Sequence, residues 1–229
     1  MGRRIALLGL WLLVWAAWPA THAHAQLAAS PDAEFRIARL KYGGGGDWYS
    51  NRSSLPNLLR AVRERTTIKA AEAEAVVSPL DPELSSYPYL YATGHGMIRF
   101  TEQEAAALRR YMLSGGFFHV DDNFGMDPHF RKTVKTLFPD RDLVELPYSH
   151  EVYHCFYQFP QGLPKIHEHY GGPPHGYGIL DQGRVVLFYS YNTDLGDGWE
   201  SPEVHNDPPD KREAALRMGV NLVVYALSH

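Results

Sequence analysis

Apolar residues recur along this chain in two rhythms, short continuous runs and helical stripes between them. Phe35, Ile37, Leu40 and Tyr42 suggest a first strand with imperfect alternation. Leu55, Leu58, Leu59 and Val62 then fall at i, i+3, i+4 and i+7, a helix face that Ser53 or Ser54 can cap. Residues 73–77 read as a short strand before Pro79. Residues 87–93 are nearly continuous in apolar side chains, as expected for a strand covered on both faces. Thr101 and Glu104 predict a capping box, in which hydroxyl and carboxylate satisfy free N–H groups. Leu108, Tyr111 and Met112 should face inward, and Gly115 supplies the left-handed stop.

Residues 117–120 form the fourth predicted strand. A helix over 127–138 with Pro128 in its first turn and an extended piece at 143–146 follow. After Pro147 the pattern changes to aromatic, His- and Pro-rich sequence as far as Pro174, with little periodicity. A hairpin is predicted from 177–180 and 184–191, joined around Asp181-Gln182-Gly183. Residues 192–209 read as a polar loop and 210–227 as a terminal helix. Strands alternating with helices predict an α/β fold with a hairpin and a loop-rich C-terminal half. In open α/β sheets ligands bind at the carboxyl ends of the strands, which here carry Gly94-His95-Gly96 and Asp121-Asp122-Asn123.

The first residues change the picture of where the protein works. Arg3 and Arg4, an apolar stretch from Ile5 to Trp18, and Ala23-His24-Ala25 have the layout of a signal peptide over residues 1–25. The apolar stretch is short for a spanning helix, which needs about 20 residues, so no integral membrane segment is expected after cleavage. The expectation is a single exported domain, residues 26–229, periplasmic or secreted. Net charge is −4, and removing Arg3 and Arg4 makes the remainder more acidic. That argues against a nucleic-acid partner. Cys155 is the one cysteine, so no intrachain disulfide can form.

The stretch YPYLYATGHGMIRFTEQEAAALRRYMLSGGFFHVDDN, residues 87–123, resembles the class I glutamine amidotransferase-like superfamily. Its members place a strand and Gly turn, a helix ending in Gly-Gly, and a strand leading to a nucleophile elbow. The GHG, LRRYMLSGG and DD elements, with GRVVLFYSYNTDLGDGWE, are similar to an exported subgroup known as a domain of unknown function, from about Phe35 to the C-terminus. The resemblance implies a flavodoxin-like three-layer sandwich. It does not imply glutaminase chemistry, because the elbow Cys is replaced by His119-Val120-Asp121-Asp122-Asn123 and an Asp cannot do thiolate chemistry. Cys155 reads as a small buried hydrophobe.

Several residues are candidates for chemistry. Asp121 and Asp122 can hold a cation, serve as general base or nucleophile, or cap the following turn. Alternation points the two to opposite sides of the sheet. His95, set between Gly94 and Gly96, can approach a ligand closely at a strand end. His119 lies on the neighbouring strand. His150-Glu151-Val152-Tyr153-His154 matches HExxH, a zinc motif that needs a helix, but Pro147, Pro160 and the intervening aromatic residues favour an extended chain. A looser divalent-metal site, with Zn²⁺ foremost, draws on His150, His154, His167, His169 and His175. In NTDLGDGWE, Asp194, Asp197 and Glu200 can bind Ca²⁺, or the polar groups of the loop, Asn192 among them, can hold a sugar against Trp199, although Gly196 breaks the EF-hand pattern. Gly43 to Gly46 lack the helix motif of a phosphate cradle.

Two functions follow. The first is a module binding a polar small molecule or cell-envelope component. The second is a hydrolase, metal-assisted or carboxylate/His-driven, acting on an envelope or sugar-like substrate. A metal hydrolase needs three convergent ligands with an open position. A carboxylate/His enzyme needs His95 or His119 within reach of Asp121 or Asp122.

Overall fold

The computed structural model describes residues 34–229, so the expected export segment lies outside the described residues. In chain order, Ile37–Leu40 (β1) leads to Ser54–Arg65 (α1) and Ala75–Val77 (β2). Tyr89–Ala92 (β3), Glu102–Leu113 (α2), Phe117–Asp121 (β4) and Asp127–Leu137 (α3) follow. Val144–Glu145 (β5), His175–Asp181 (β6) and Arg184–Tyr191 (β7) complete one seven-stranded sheet. Leu195–Trp199 (α4), Pro202–His205 (α5) and Pro209–Ser228 (α6) end the chain. Among the described residues no helix is long and apolar enough to cross a membrane.

The sheet order is β2-β1-β3-β4-β7-β6-β5. The first five strands in that order are parallel, and β6 and β5 extend the sheet antiparallel. β3 and β4 are buried at every position, which is why their sequences carry apolar residues without alternation. Tyr89, Tyr91, Phe117 and Phe188 pack with α1 and α6 on one face. Leu90, Phe118, Val120 and Tyr189 pack with α2 and α3 on the other. The result is a three-layer α/β domain. Each large apolar side chain fully buried in these layers contributes about 1.5–3 kcal/mol relative to exposure.

Local signals explain the elements. The Thr101 hydroxyl accepts from Glu104 N at 3.2 Å while Thr101 N donates to the Glu104 carboxylate at 2.8 Å, the predicted capping box. The hairpin turns on Gln182 and Gly183, both with positive φ (49° and 85°), as a two-residue turn matched to strand twist requires. Residues 192–209 depart from the expected open polar loop. They contain α4 and α5, and Asn192 through Glu200 are buried, most of their polar groups partnered from distant parts of the chain. One such partner is held by Arg39, buried in β1, whose guanidinium donates to Ser50 O at 2.7 Å and Asn51 O at 3.1 Å. It fixes the loop after β1 against the carboxyl edge of the sheet. The chain turns to opposite sides of β1 to make β2 and β3, so a crevice is expected at this edge.

Candidate metal and ligand site at the carboxyl edge

Buried polar atoms without partners mark the same edge. Among the described residues they are Ser50 Oγ, Thr93 Oγ1, Asp122 Oδ1, both side-chain atoms of Asn123, His169 Nδ1, Asp194 Oδ1 and Asp207 Oδ2. Every one lies beyond the carboxyl end of a parallel strand or on the segments covering that end. An unpaired buried polar group costs about 1–3 kcal/mol, so such a concentration at one place calls for a partner.

The covering segment is pinned by backbone bonds. Ile166 N and His167 N donate to Thr193 O at 3.0 and 3.2 Å, and Tyr170 N donates to Asn192 Oδ1 at 3.1 Å. Asn192 and Asp194 both adopt left-handed backbone (φ 57° and 66°), which Asn and Asp tolerate better than other side chains. This places His167 and His169 against Asp194. Asp194 Oδ2 lies 3.2 Å from His167 Nδ1 and 2.5 Å from His169 Nε2. His167 Nδ1 is also 3.0 Å from Asp197 Oδ2, and its Nε2 is 2.9 Å from Asp207 Oδ1. His205 Nε2 sits 3.5 Å from Asp197 and 2.9 Å from Glu200. Two groups thus bring a candidate ligand atom from each of three residues within 4.8 Å of one another, His167/His169/Asp194 and His167/Asp197/His205.

Electrostatics follow from this crowding. The bonds to Asp194 and Asp197 push the His167 pKa up to about 11. Burial opposes charge on His169, but the Asp194 bond and field outweigh it and its pKa is also raised. Asp194 answers in the other direction: burial would raise it, yet its two imidazole partners hold it below the usual carboxylate range. Asp122 has only Asn192 N, at 3.2 Å, on one oxygen. Burial pushes it up to about 7, with Asp127 adding to the rise and the nearby His169 opposing it.

Asp121 points to the opposite face and is fully partnered. It accepts from Gly196 N at 2.6 Å, Leu195 N at 3.3 Å, Ser190 Oγ at 2.5 Å and Tyr91 Oη at 3.4 Å. His119 continues the chain, with Nε2 2.7 Å from Ser190 Oγ and Nδ1 2.9 Å from Tyr89 Oη. If Ser190 donates to Asp121, His119 carries its proton on Nε2 and accepts at Nδ1 from Tyr89, a tautomer assigned from the network. All four side chains are buried, so this relay orders the interior and anchors the start of α4. Gly196 is required for that anchor, because a Cβ there would overlap Tyr91 Oη and stand 2.7 Å from Asn51 Nδ2. Gly196→Ala is therefore expected to lower stability by about 1–3 kcal/mol, read by urea unfolding. A variant as stable as the parent would contradict this packing.

The other sequence candidates scatter. His95 Nδ1 bonds Asp47 Oδ2 at 3.0 Å with its ring half exposed, and reaches neither Asp121 nor Asp122 by a hydrogen bond. Gly94 lets the β1 and β3 loops touch, since a Cβ would overlap Tyr42 Oη, while Gly96 borders the Gly125 turn after β4. His150 and His154 do not converge: residues 151–153 form one 3-10 turn rather than a helix. His150 Nδ1 accepts from Val152 N, and His154 Nε2 bonds Tyr148 O at 2.6 Å. Pro147 and the aromatic residues around the motif explain why no zincin helix forms. His175 pairs with Glu145 at 2.8 Å on the antiparallel extension. Trp199 offers no platform for a sugar, being fully buried with Nε1 donating to Ala215 O at 2.8 Å. Cys155 is partly buried and its thiol is pushed up to about 11, chiefly by burial, in keeping with an inert residue. Sequence reasoning had both His167 and His169 in view without separating them from the other histidines. They lie on a segment of bends rather than a strand, so no local signal marks them, and the bonds of that segment to Thr193 and Asn192 bring both rings to Asp194.

Fold and site together define a three-layer α/β protein with a mixed sheet and a His/Asp cluster at its carboxyl edge. Residues 36–227 match the model of a family described as a domain of unknown function (DUF4159), and the chain belongs to that family. No curated protein matches it.

Proposed function

We propose that this is an exported module of the class I glutamine amidotransferase-like kind, its elbow rebuilt without a nucleophile, that binds a donor-rich polar ligand at the carboxyl ends of β4 and β7. The parallel order β2-β1-β3-β4-β7 is the flavodoxin-like order, which supports that kinship. One observation carries the binding reading: the unpartnered buried atoms of Asp122, Asn123, His169 and Asp194 converge on one edge. Asp122, Asn123 and Asp194 leave three acceptor oxygens, two of them on carboxylates, beside the Asn123 amide and His169 Nδ1. The two carboxylate oxygens favour sugar hydroxyls, polyols or amines over carboxylates and phosphate, in keeping with an envelope component for an exported protein.

The test is a thermal-shift panel of monosaccharides, amino sugars and polyols set against dicarboxylates and inorganic phosphate. Donor-rich probes are expected to raise the Tm of the parent protein and to lose that effect in Asn123→Ala. Stabilisation by the anions alone, or by no probe, would sink the reading. Hydrolysis of such a ligand is the second reading, favoured by Asp122, whose buried carboxyl titrates near neutrality as a general base must. It requires Asp122→Asn to abolish turnover while leaving ligand binding in place.

A further inference from the structure

We propose that His167 Nδ1, His169 Nε2 and Asp194 Oδ2 form a binding site for one divalent transition-metal ion, with Zn²⁺ the reference occupant. The proposal deepens the crevice reading and rests on it for what the ion would meet, a donor-rich ligand or water.

Geometry is the first support. A tetrahedral Zn²⁺ with ligands at about 2.0–2.2 Å holds its ligand atoms roughly 3.4 Å apart. The Asp194–His167 separation, 3.2 Å, is already close to that edge, and the 2.5 Å Asp194–His169 pair has to open by about 0.9 Å, a side-chain rotation, to admit the ion. One ligand atom from each of the three residues lies within 4.8 Å of the other two. Imidazole and carboxylate together are the donor set that first-row divalent ions prefer.

Two independent observations point to a ligand. Asp194 is completely buried, and its second oxygen has no partner. Beside it Asp122, also completely buried, has one oxygen bare, and its charge acts on His169. The other ring nitrogen of His167 meets the Asp207 carboxylate at 2.9 Å, the outer contact that fixes ring orientation in carboxylate–histidine–metal sites. Asp122, Asp194, Asp197 and Asp207 face the imidazoles of His167, His169 and His205 and the Lys165 ammonium, a cluster dense in the groups that hold cations.

The rival set, His167/Asp197/His205, shares His167 but has no unpartnered buried oxygen. Asp197 Oδ1 already accepts from Asn51 Nδ2 at 2.6 Å, and His205 is held by Glu200 at 2.9 Å. The two sets therefore predict different variants to matter.

The test is calorimetric titration of the chelator-treated, untagged protein with Zn²⁺, comparing the parent with His169→Ala, Asp194→Asn and His205→Ala. The parent should bind one ion. Affinity should fall by at least about 100-fold in His169→Ala and Asp194→Asn and stay within a few-fold in His205→Ala. Absence of one-to-one binding by the parent, equal affinity in all variants, or loss confined to His205→Ala each overturns the proposal. Should the first two variants fail to fold, the Co²⁺ complex of the parent decides. Intense visible bands of a low-coordinate protein-bound ion support the site, and the weak spectrum of aquated Co²⁺ overturns it. Failure here is separable from failure of the crevice reading. Donor-rich probes that still raise Tm without metal leave that reading standing, and Zn²⁺ binding with no probe response leaves only the metal site.

Discussion

Asp121→Ala is expected to destabilise the protein by about 3–5 kcal/mol, while Asp121→Asn costs about 1 kcal/mol or less. Alanine removes the acceptor for two backbone N–H groups at the start of α4 and leaves them buried beside a cavity. Asparagine keeps the volume and one acceptor oxygen for Gly196 N, giving up only the longer 3.3 Å bond from Leu195 N, which meets the other oxygen. Its amide then faces Ser190 Oγ, whose hydroxyl can turn to Val120 O, already 3.3 Å away. The direction of the Asp121 pKa agrees with a near-neutral surrogate, since burial and then the field of Asp194 raise it well above the usual carboxylate range. Urea unfolding of both variants checks the contrast. Equal losses, or an alanine variant within about 1 kcal/mol of the parent, would show that Asp121 does not anchor α4.

Much of the fold was legible because its causes are local. The Thr101–Glu104 box, the Gly115 stop, the Gln182-Gly183 turn and the continuous apolar strands each depend on residues close in sequence. The candidate site depends on distant ones. Nothing near Asn192-Thr193-Asp194 says that the segment will be buried, because its partners are Asp122, Ile166, His167, His169 and Tyr170. The HExxH pattern at His150 drew notice by spacing alone, whereas the pair that converges, His167 and His169, matches no metal-site pattern. His119 reads as a candidate at a strand end, yet it sits inside an apolar run between Phe118 and Val120, the context of a core residue. Trp199 follows a polar stretch and still belongs to the core, since α4 packs it under Ala215 of α6.

Asp121 and Asp122 show how a period of two divides labour at one strand end. Odd positions of β4 point toward α1 and α6, so Asp121 joins His119 in a network with its hydrogen bonds met. Even positions point the other way, so Asp122 meets the covering segment with one oxygen bare. Neutralising the first is a question of stability, and neutralising the second a question of binding. A shift of register by one residue would exchange the roles, which is why the parallel pairing of His119 with Phe188 and of Asp121 with Ser190 matters to the site.

Acid should expose the cost of the buried imidazole. Burial lowers the His119 pKa from 6.5 to about 3. Between those values the unfolded chain binds a proton that the native protein refuses, so this group makes stability rise with pH across the window and fall on acidification. Relative to His119→Gln, the parent is expected to lose about 3 kcal/mol between neutrality and about pH 4, and about 4 kcal/mol by pH 3. Asp121 titrates with the opposite sign, its raised pKa favouring the folded state at low pH, but it is present in both proteins and cancels in the difference. Unfolding free energies of parent and variant measured from pH 7 to pH 3 give that difference directly. Curves that stay parallel throughout would mean that His119 keeps its ordinary affinity for a proton inside the sheet, which the closed chain from Tyr89 to Asp121 does not allow.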